Sequence, residues 1–143
     1  MTAKAVGIFK VADVDRETEN WLASAEYDLE TARQMHATGR YVYVVFMCHL
    51  AVEKVLKALV GEATGGAPPR THDLVRLANL GGVSLDADLE RFLAELTDAQ
   101  TGTRYGAVLS QAVARYPEMV ARRYLDRSAE VIMWLRSDPR LRI

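Results

Sequence analysis

The sequence has a single cysteine, Cys48, which excludes an internal disulfide and leaves no thiolate cluster for zinc. A reducing, cytoplasmic setting suits such a chain. Neither sign of charge is in excess, with 18 Lys and Arg against 19 Asp and Glu. Global attraction to nucleic acid or to a membrane surface is therefore excluded, and any polyanion site must be a local patch. The opening MTAKAVGIFKVADVDRETE lacks the seven or more consecutive apolar residues of a signal h-region, so no secretion is expected. The longest apolar window, Tyr41 to Val60, is broken by His49, Glu53, Lys54 and Lys57, which suits a core helix and not a membrane span. His36, His49 and His72 are the only histidines, and none shares an HExxH-like spacing. With no Walker loop, GxGxxG or GxSxG either, neither a metal nor a cofactor is called for.

What is present is apolar periodicity. The chain of 143 residues, half of them hydrophobic and about a quarter charged, fits one packed domain. Leu22, Ala25, Leu29 and Ala32 recur at helical spacing within a first helix from about Asp15 to Thr38, leaving residues 1–14 as an N-terminal arm. Gly39 suits a left-handed cap, and the pattern restarts at once, so the second helix runs back antiparallel. That helix, about Arg40 to Val60, gathers Val42, Val45, Val52, Leu56, Leu59 and Val60 on one face and is expected to be central. The glycines and prolines of GEATGGAPPR (Gly61 to Arg70) predict a loop. Thr71 is a candidate cap for a short helix through Leu74, Leu77 and Leu80, ended by Gly81 and Gly82. Ser84 is a candidate cap for a helix whose inner side carries Leu85, Leu89, Phe92, Leu93 and Leu96. Thr101 to Tyr116 has no decisive pattern. A last helix starts at Pro117, places Val120, Tyr124, Val131 and Leu135 on one side, and is stopped by Asp138-Pro139, leaving 139–143 as a tail. Four long helices and one short one, with no strand pattern, make the domain of residues 15–138 an all-α bundle.

Three groups of residues can carry chemistry. His49 lies within the apolar arc of the second helix, and Glu53 is one turn later on its border. They read either as a polar core pair that satisfies itself, as burial demands, or as an acid-base couple with no nucleophile beside it. Lys54 and Lys57 on the helix edge read as a solvated face. Thr71-His72-Asp73 opens a helix after a loop, a place where free N–H groups and His72 can meet phosphate, although capping alone explains Thr71 and Asp73. Arg104, Arg115, Arg122, Arg123 and Arg127 are interleaved with Tyr105, Tyr116 and Tyr124, which suits phosphate contacts combined with base stacking and equally suits ordinary surface arginines beside half-buried tyrosines.

Five features in order resemble the HEPN family: Ala25-Glu26-Tyr27-Asp28-Leu29-Glu30-Thr31-Ala32, Gly39-Arg40-Tyr41, Leu50-Ala51-Val52-Glu53-Lys54-Val55-Leu56-Lys57-Ala58-Leu59, His72-Asp73-Leu74, and Thr103-Arg104-Tyr105 or Ala114-Arg115-Tyr116-Pro117. The resemblance implies an antiparallel four-helix bundle, commonly a homodimer, often encoded beside a minimal nucleotidyltransferase as a toxin-antitoxin or nucleotide-handling pair. Taken with the arginine-tyrosine interleaving and the loop before the short helix, it leaves Arg104, Tyr105, Arg115, Tyr116 and His72 as the expected nucleotide or RNA contacts. Many ribonuclease members carry an arginine followed, after four to six residues, by a histidine on a late helix. Here no histidine follows His72, and neither Arg33-His36, Arg40-His49 nor Arg70-His72 has that spacing. The resemblance thus favours a non-catalytic subunit over a ribonuclease toxin with an atypical set or a pure assembly module.

Overall fold

A computed structural model describes the backbone of residues 2–104 and 108–142, and the side chains of 16–102 and 108–142. Among the described residues there are six α-helices, a closing 3-10 turn and no strand: α1 (Thr2–Ala37), α2 (Tyr41–Thr64), α3 (Leu74–Leu80), α4 (Ala87–Arg104), α5 (Leu109–Arg115), α6 (Glu118–Arg136) and the turn Pro139–Leu141. The long helices α1, α2, α4 and α6 form the four-helix bundle, and α2 is its hub, packing on every other helix and on the closing turn.

The α1–α2 hairpin follows from Gly39, whose φ of 78° is the left-handed conformation that glycine adopts without strain. Arg40 N–H donates to Met35 O at 2.8 Å across this turn, closing the end of α1. The polar pairs then run in antiparallel register. Thr18 donates to Glu62 Oε2, Lys57 Nζ lies 5.6 Å over the Trp21 ring, and Lys54 Nζ reaches both Ser24 Oγ and Asp28 Oδ2 at 2.7 Å. Lys54 and Lys57 are therefore part-buried ion-pair members, and not the solvated face read from their pattern. The apolar arc of α2 is otherwise as expected, with Val45, Val52, Leu56, Leu59 and Val60 all in the core, while Val42 is half-buried. Cys48 is buried with them, and desolvation pushes its thiol up to about 12, against small opposing effects of Ser128 and Arg33.

Several boundaries differ from expectation for local reasons. The helical backbone of α1 begins at Thr2, upstream of Asp15, through a segment with no proline to stop it. α2 continues to Thr64, where Gly65 at φ 71° caps it. Asp73, not Thr71, caps α3 by accepting from Arg76 N–H at 3.2 Å; Thr71 Oγ1 accepts from Asp73 N–H instead. Asp86, not Ser84, caps α4 through Leu89 N–H at 2.8 Å. The segment without a decisive pattern contains the end of α4 and all of α5. Pro117 is the N-cap of α6, one residue before the expected first-turn position. The expected tail carries Leu141 into the core, because Arg140 donates to Gly81 O at 2.6 Å and clasps Asp138. Gly81 itself allows α3 to approach α2 closely, since a Cβ there would sit 3.2 Å from Leu59 Cβ.

Leu56 is fully buried at the middle of the hub helix. Leu56→Ala should cost about 2 to 5 kcal/mol in urea melts, by lost transfer energy and the cavity left behind. A loss under about 1 kcal/mol would mean that the site collapses freely around alanine.

Candidate functional site

His49, Glu53 and Lys57 stand one turn apart on α2, so their side chains share a face. Onto this face the loop before α3 lays His72. Glu53, only 4% exposed, is the centre of the cluster. Its Oε1 accepts from His72 Nδ1 at 2.7 Å, and its Oε2 accepts from Lys57 Nζ at 3.0 Å. The expected pair is in the core, but its direct contact is long, with His49 Nδ1 3.8 Å from Glu53 Oε1. The shorter contact of His49 is from Nε2 to the carbonyl oxygen of His72 at 2.9 Å. A carbonyl can only accept, so this contact places the proton of His49 on Nε2.

His72 is thus held twice, by its ring and by its backbone, and both anchors are on α2. Its side chain is still 48% exposed. With Nδ1–H committed to a carboxylate, Nε2 is the nitrogen left to act on a ligand, as acceptor when neutral and donor when protonated. The start of α3 is tied to α4 as well, through Leu74 N–H donating to Thr97 Oγ1 at 3.2 Å.

The late arginines divide into two kinds. Arg122 grips Glu118, Arg123 reaches Glu95 at 2.9 Å, and Arg127 reaches Glu130 at 3.2 Å. Arg115 is exposed and has no carboxylate partner among the described residues. Its guanidinium lies against the last turns of α4, where a Cβ added at Gly102 would be 3.7 Å from Nη1. Arg104 is the final residue of α4, two turns or about 10 Å beyond Thr97 on the same helix side. Its side chain and the whole of Tyr105 lie outside the described residues. Tyr116 is 6% exposed, its ring edge-on to Tyr124 at 6.1 Å, so it offers little face for stacking a base. Tyr124 is committed inward too: its hydroxyl donates to Glu95 Oε1 at 3.1 Å, and burial followed by the Glu95 charge raises its pKa.

The structure therefore brings together His72, Glu53 and His49, adds Lys57, and sets Arg115 against Gly102 near the end of α4. The signal for Lys57 was its position four residues after Glu53, the favourable order for a helical ion pair. Among the described residues no three potential ligands are gathered to hold a metal ion. No helix among them is long and apolar enough to cross a membrane.

The family model described as HEPN domain matches residues 18–138 of the chain. No match is found among curated proteins. Among solved structures, the chain is similar to ST0689, an archaeal HEPN homologue, with a TM-score of 0.68 and 25% identity, covering 84% of this chain and 95% of that one. TT1696 from Thermus thermophilus shares the fold at a TM-score of 0.70 and 23% identity, over 84% of this chain and 96% of that one.

Removing the central carboxylate should be costly, because Lys57 and His72 would lose their common acceptor. Glu53→Ala is expected to destabilise by about 3 to 5 kcal/mol in urea melts, as a broken buried ion pair does. His72→Ala, removing a half-exposed partner, should cost about 1 kcal/mol. Equal, small effects of both would show that the cluster contributes little to the fold.

Proposed function

The chain belongs to the HEPN family, and from that premise we propose that it is a nucleotide- or RNA-associated subunit acting beside a minimal nucleotidyltransferase in a toxin-antitoxin-like pair. The observation that carries the binding half is Arg115, which has no carboxylate partner among the described residues. Its neighbours on α6 have their guanidinium groups neutralised by Glu118, Glu95 and Glu130, whereas Arg115 is open to a polyanion beside the end of α4. An arginine fork grips phosphate bidentately, and Arg104 at the end of the same helix would add a second contact. Absence of the arginine-to-histidine ribonuclease spacing supports a subunit that binds without cutting.

One observation favours a second reading. The Glu53–His72 pair has the form of a carboxylate-oriented general base, which an atypical ribonuclease toxin would need. Growth arrest on expression that is abolished by His72→Ala would support that reading, and harmless expression would count against it.

Binding is tested with a single-stranded oligoribonucleotide at low salt. Arg104→Ala and Arg115→Ala should each weaken affinity by about 1 to 3 kcal/mol, and affinity should fall with added salt. Arg122→Ala is the charge-matched control, because its guanidinium is already engaged by Glu118. Lys54 and Lys57 are unsuited as controls, since both hold the fold together. Equal losses in all three arginine variants would indicate diffuse electrostatics and no site.

The same reading makes the protein a homodimer. In support, the helices leave large apolar side chains exposed, among them Met119 at 81%, Tyr27 at 76% and Met133 at 74%. Light scattering should give twice the 15.9 kDa chain mass, and a monomer mass at micromolar concentration would overturn this.

A further inference from the structure

We infer that the loop leading into α3, together with the first turn of that helix, holds a terminal phosphate monoester, from a mononucleotide or an RNA end, through Arg70, His72 and Arg76. This inference rests on the reading of the chain as nucleotide- or RNA-associated, but it uses residues apart from the Arg104 and Arg115 element. Three phosphate-seeking side chains fall within residues 70–76. Arg70 and Arg76 are both exposed, and neither has a carboxylate partner among the described residues. Asp73 is the one acid of the segment, and its Oδ1 is occupied as the cap of α3 by Arg76 N–H.

Between the arginines, His72 is fixed. Its ring is set by Glu53, its carbonyl oxygen accepts from buried His49, and its Nε2 has no protein partner among the described residues. A ligand group meeting this nitrogen would not have to order it first, which reduces the entropic cost of binding. Glu53 does not repel such a ligand as a bare charge, because Lys57 neutralises it through the other carboxylate oxygen. The side chains on α2 thus hold the imidazole in place, and Arg70 before it and Arg76 after it are exposed to solvent.

The number of donors identifies the ligand class. A phosphate monoester carries close to two negative charges at neutral pH and has three terminal oxygens to accept hydrogen bonds. Two guanidinium forks, joined by His72 Nε2–H when the imidazole is protonated, can serve all three. An internal phosphodiester has a single charge and two non-bridging oxygens, so it would leave part of this set unused.

The test compares one short oligoribonucleotide bearing a 5′-phosphate, a 3′-phosphate or hydroxyl ends only, together with AMP and adenosine as competitors, all on the full chain. At least one phosphorylated end should bind about tenfold tighter than the hydroxyl-ended RNA, or AMP should compete about tenfold better than adenosine. The double variant Arg70→Gln/Arg76→Gln, made at two exposed positions, should abolish that gain and leave the affinity of the hydroxyl-ended RNA unchanged. AMP competing as well as phosphorylated RNA would make the mononucleotide sufficient; phosphorylated RNA alone showing the gain would assign the site to an RNA end. The inference is overturned if phosphorylated and hydroxyl forms bind alike, or if the gain survives in the double variant. Hydroxyl-ended RNA that binds without any phosphate preference would sink this site while sparing the RNA reading. AMP that binds through Arg70 and Arg76 where no RNA binds would do the reverse.

Discussion

A carboxylate buried at the middle of a hub helix has to be neutralised where it stands, and much of the arrangement around α3 follows from how Glu53 is neutralised. Desolvating one ionised carboxylate without partners costs several kcal/mol, so both of its oxygens need donors. Lys57 supplies one from the same helix, and His72 supplies the other from a loop nineteen residues away along the chain. The second contact draws the loop against α2, and it positions Asp73 to start α3 and Leu74 to reach Thr97 on α4. A polar necessity in the core thereby organises three helices around it.

The same economy of charge separates structural from available cations. The α1–α2 hairpin is tied by Lys54 to Asp28, the α4–α6 seam by Arg123 to Glu95, and the closing turn by Arg140 to Asp138, which holds that carboxyl below its usual range. A guanidinium already bound to a carboxylate has less to offer a phosphate, because the new contact must compete with the old one. Among the described residues Arg70, Arg76 and Arg115 have no such carboxylate; Arg70 lies in the loop before α3, Arg76 in the first turn of α3, and Arg115 at the end of α5 against α4. In a chain with nearly balanced charge, binding capacity is decided by which cations lack an internal partner, and total charge says little about it.

The helices were legible wherever periodicity was long. The arc of Val45, Val52, Leu56 and Leu59 announced α2, and Leu89, Leu93 and Leu96 announced α4, because burial along one face leaves a repeat in the residues themselves. Helix ends were less legible. Thr71 and Asp73, or Ser84 and Asp86, are rival caps of similar intrinsic preference, and a backbone shift of two residues selects between them. α5 left almost no trace, since only Ala112 of its seven residues is buried. The candidate site was partly legible: His49, Glu53 and His72 stood out as ionisable groups in or beside apolar segments, while the inward turn of Tyr116 did not.

By itself, then, the sequence determined the all-helical class, the central place of α2, the tight turn at Gly39 and the family, because each rests on local preference or on a repeat along one helix. Tertiary structure alone decided that Glu53 answers to His72 more closely than to His49, that Lys54 and Lys57 are internal, and that Arg122, Arg123 and Arg127 are held by carboxylates while Arg115 has none among the described residues. Those outcomes depend on which side chains meet across separate elements. Pairings of that kind are set by distances of a few ångströms between residues far apart in the chain, and a linear pattern does not encode them.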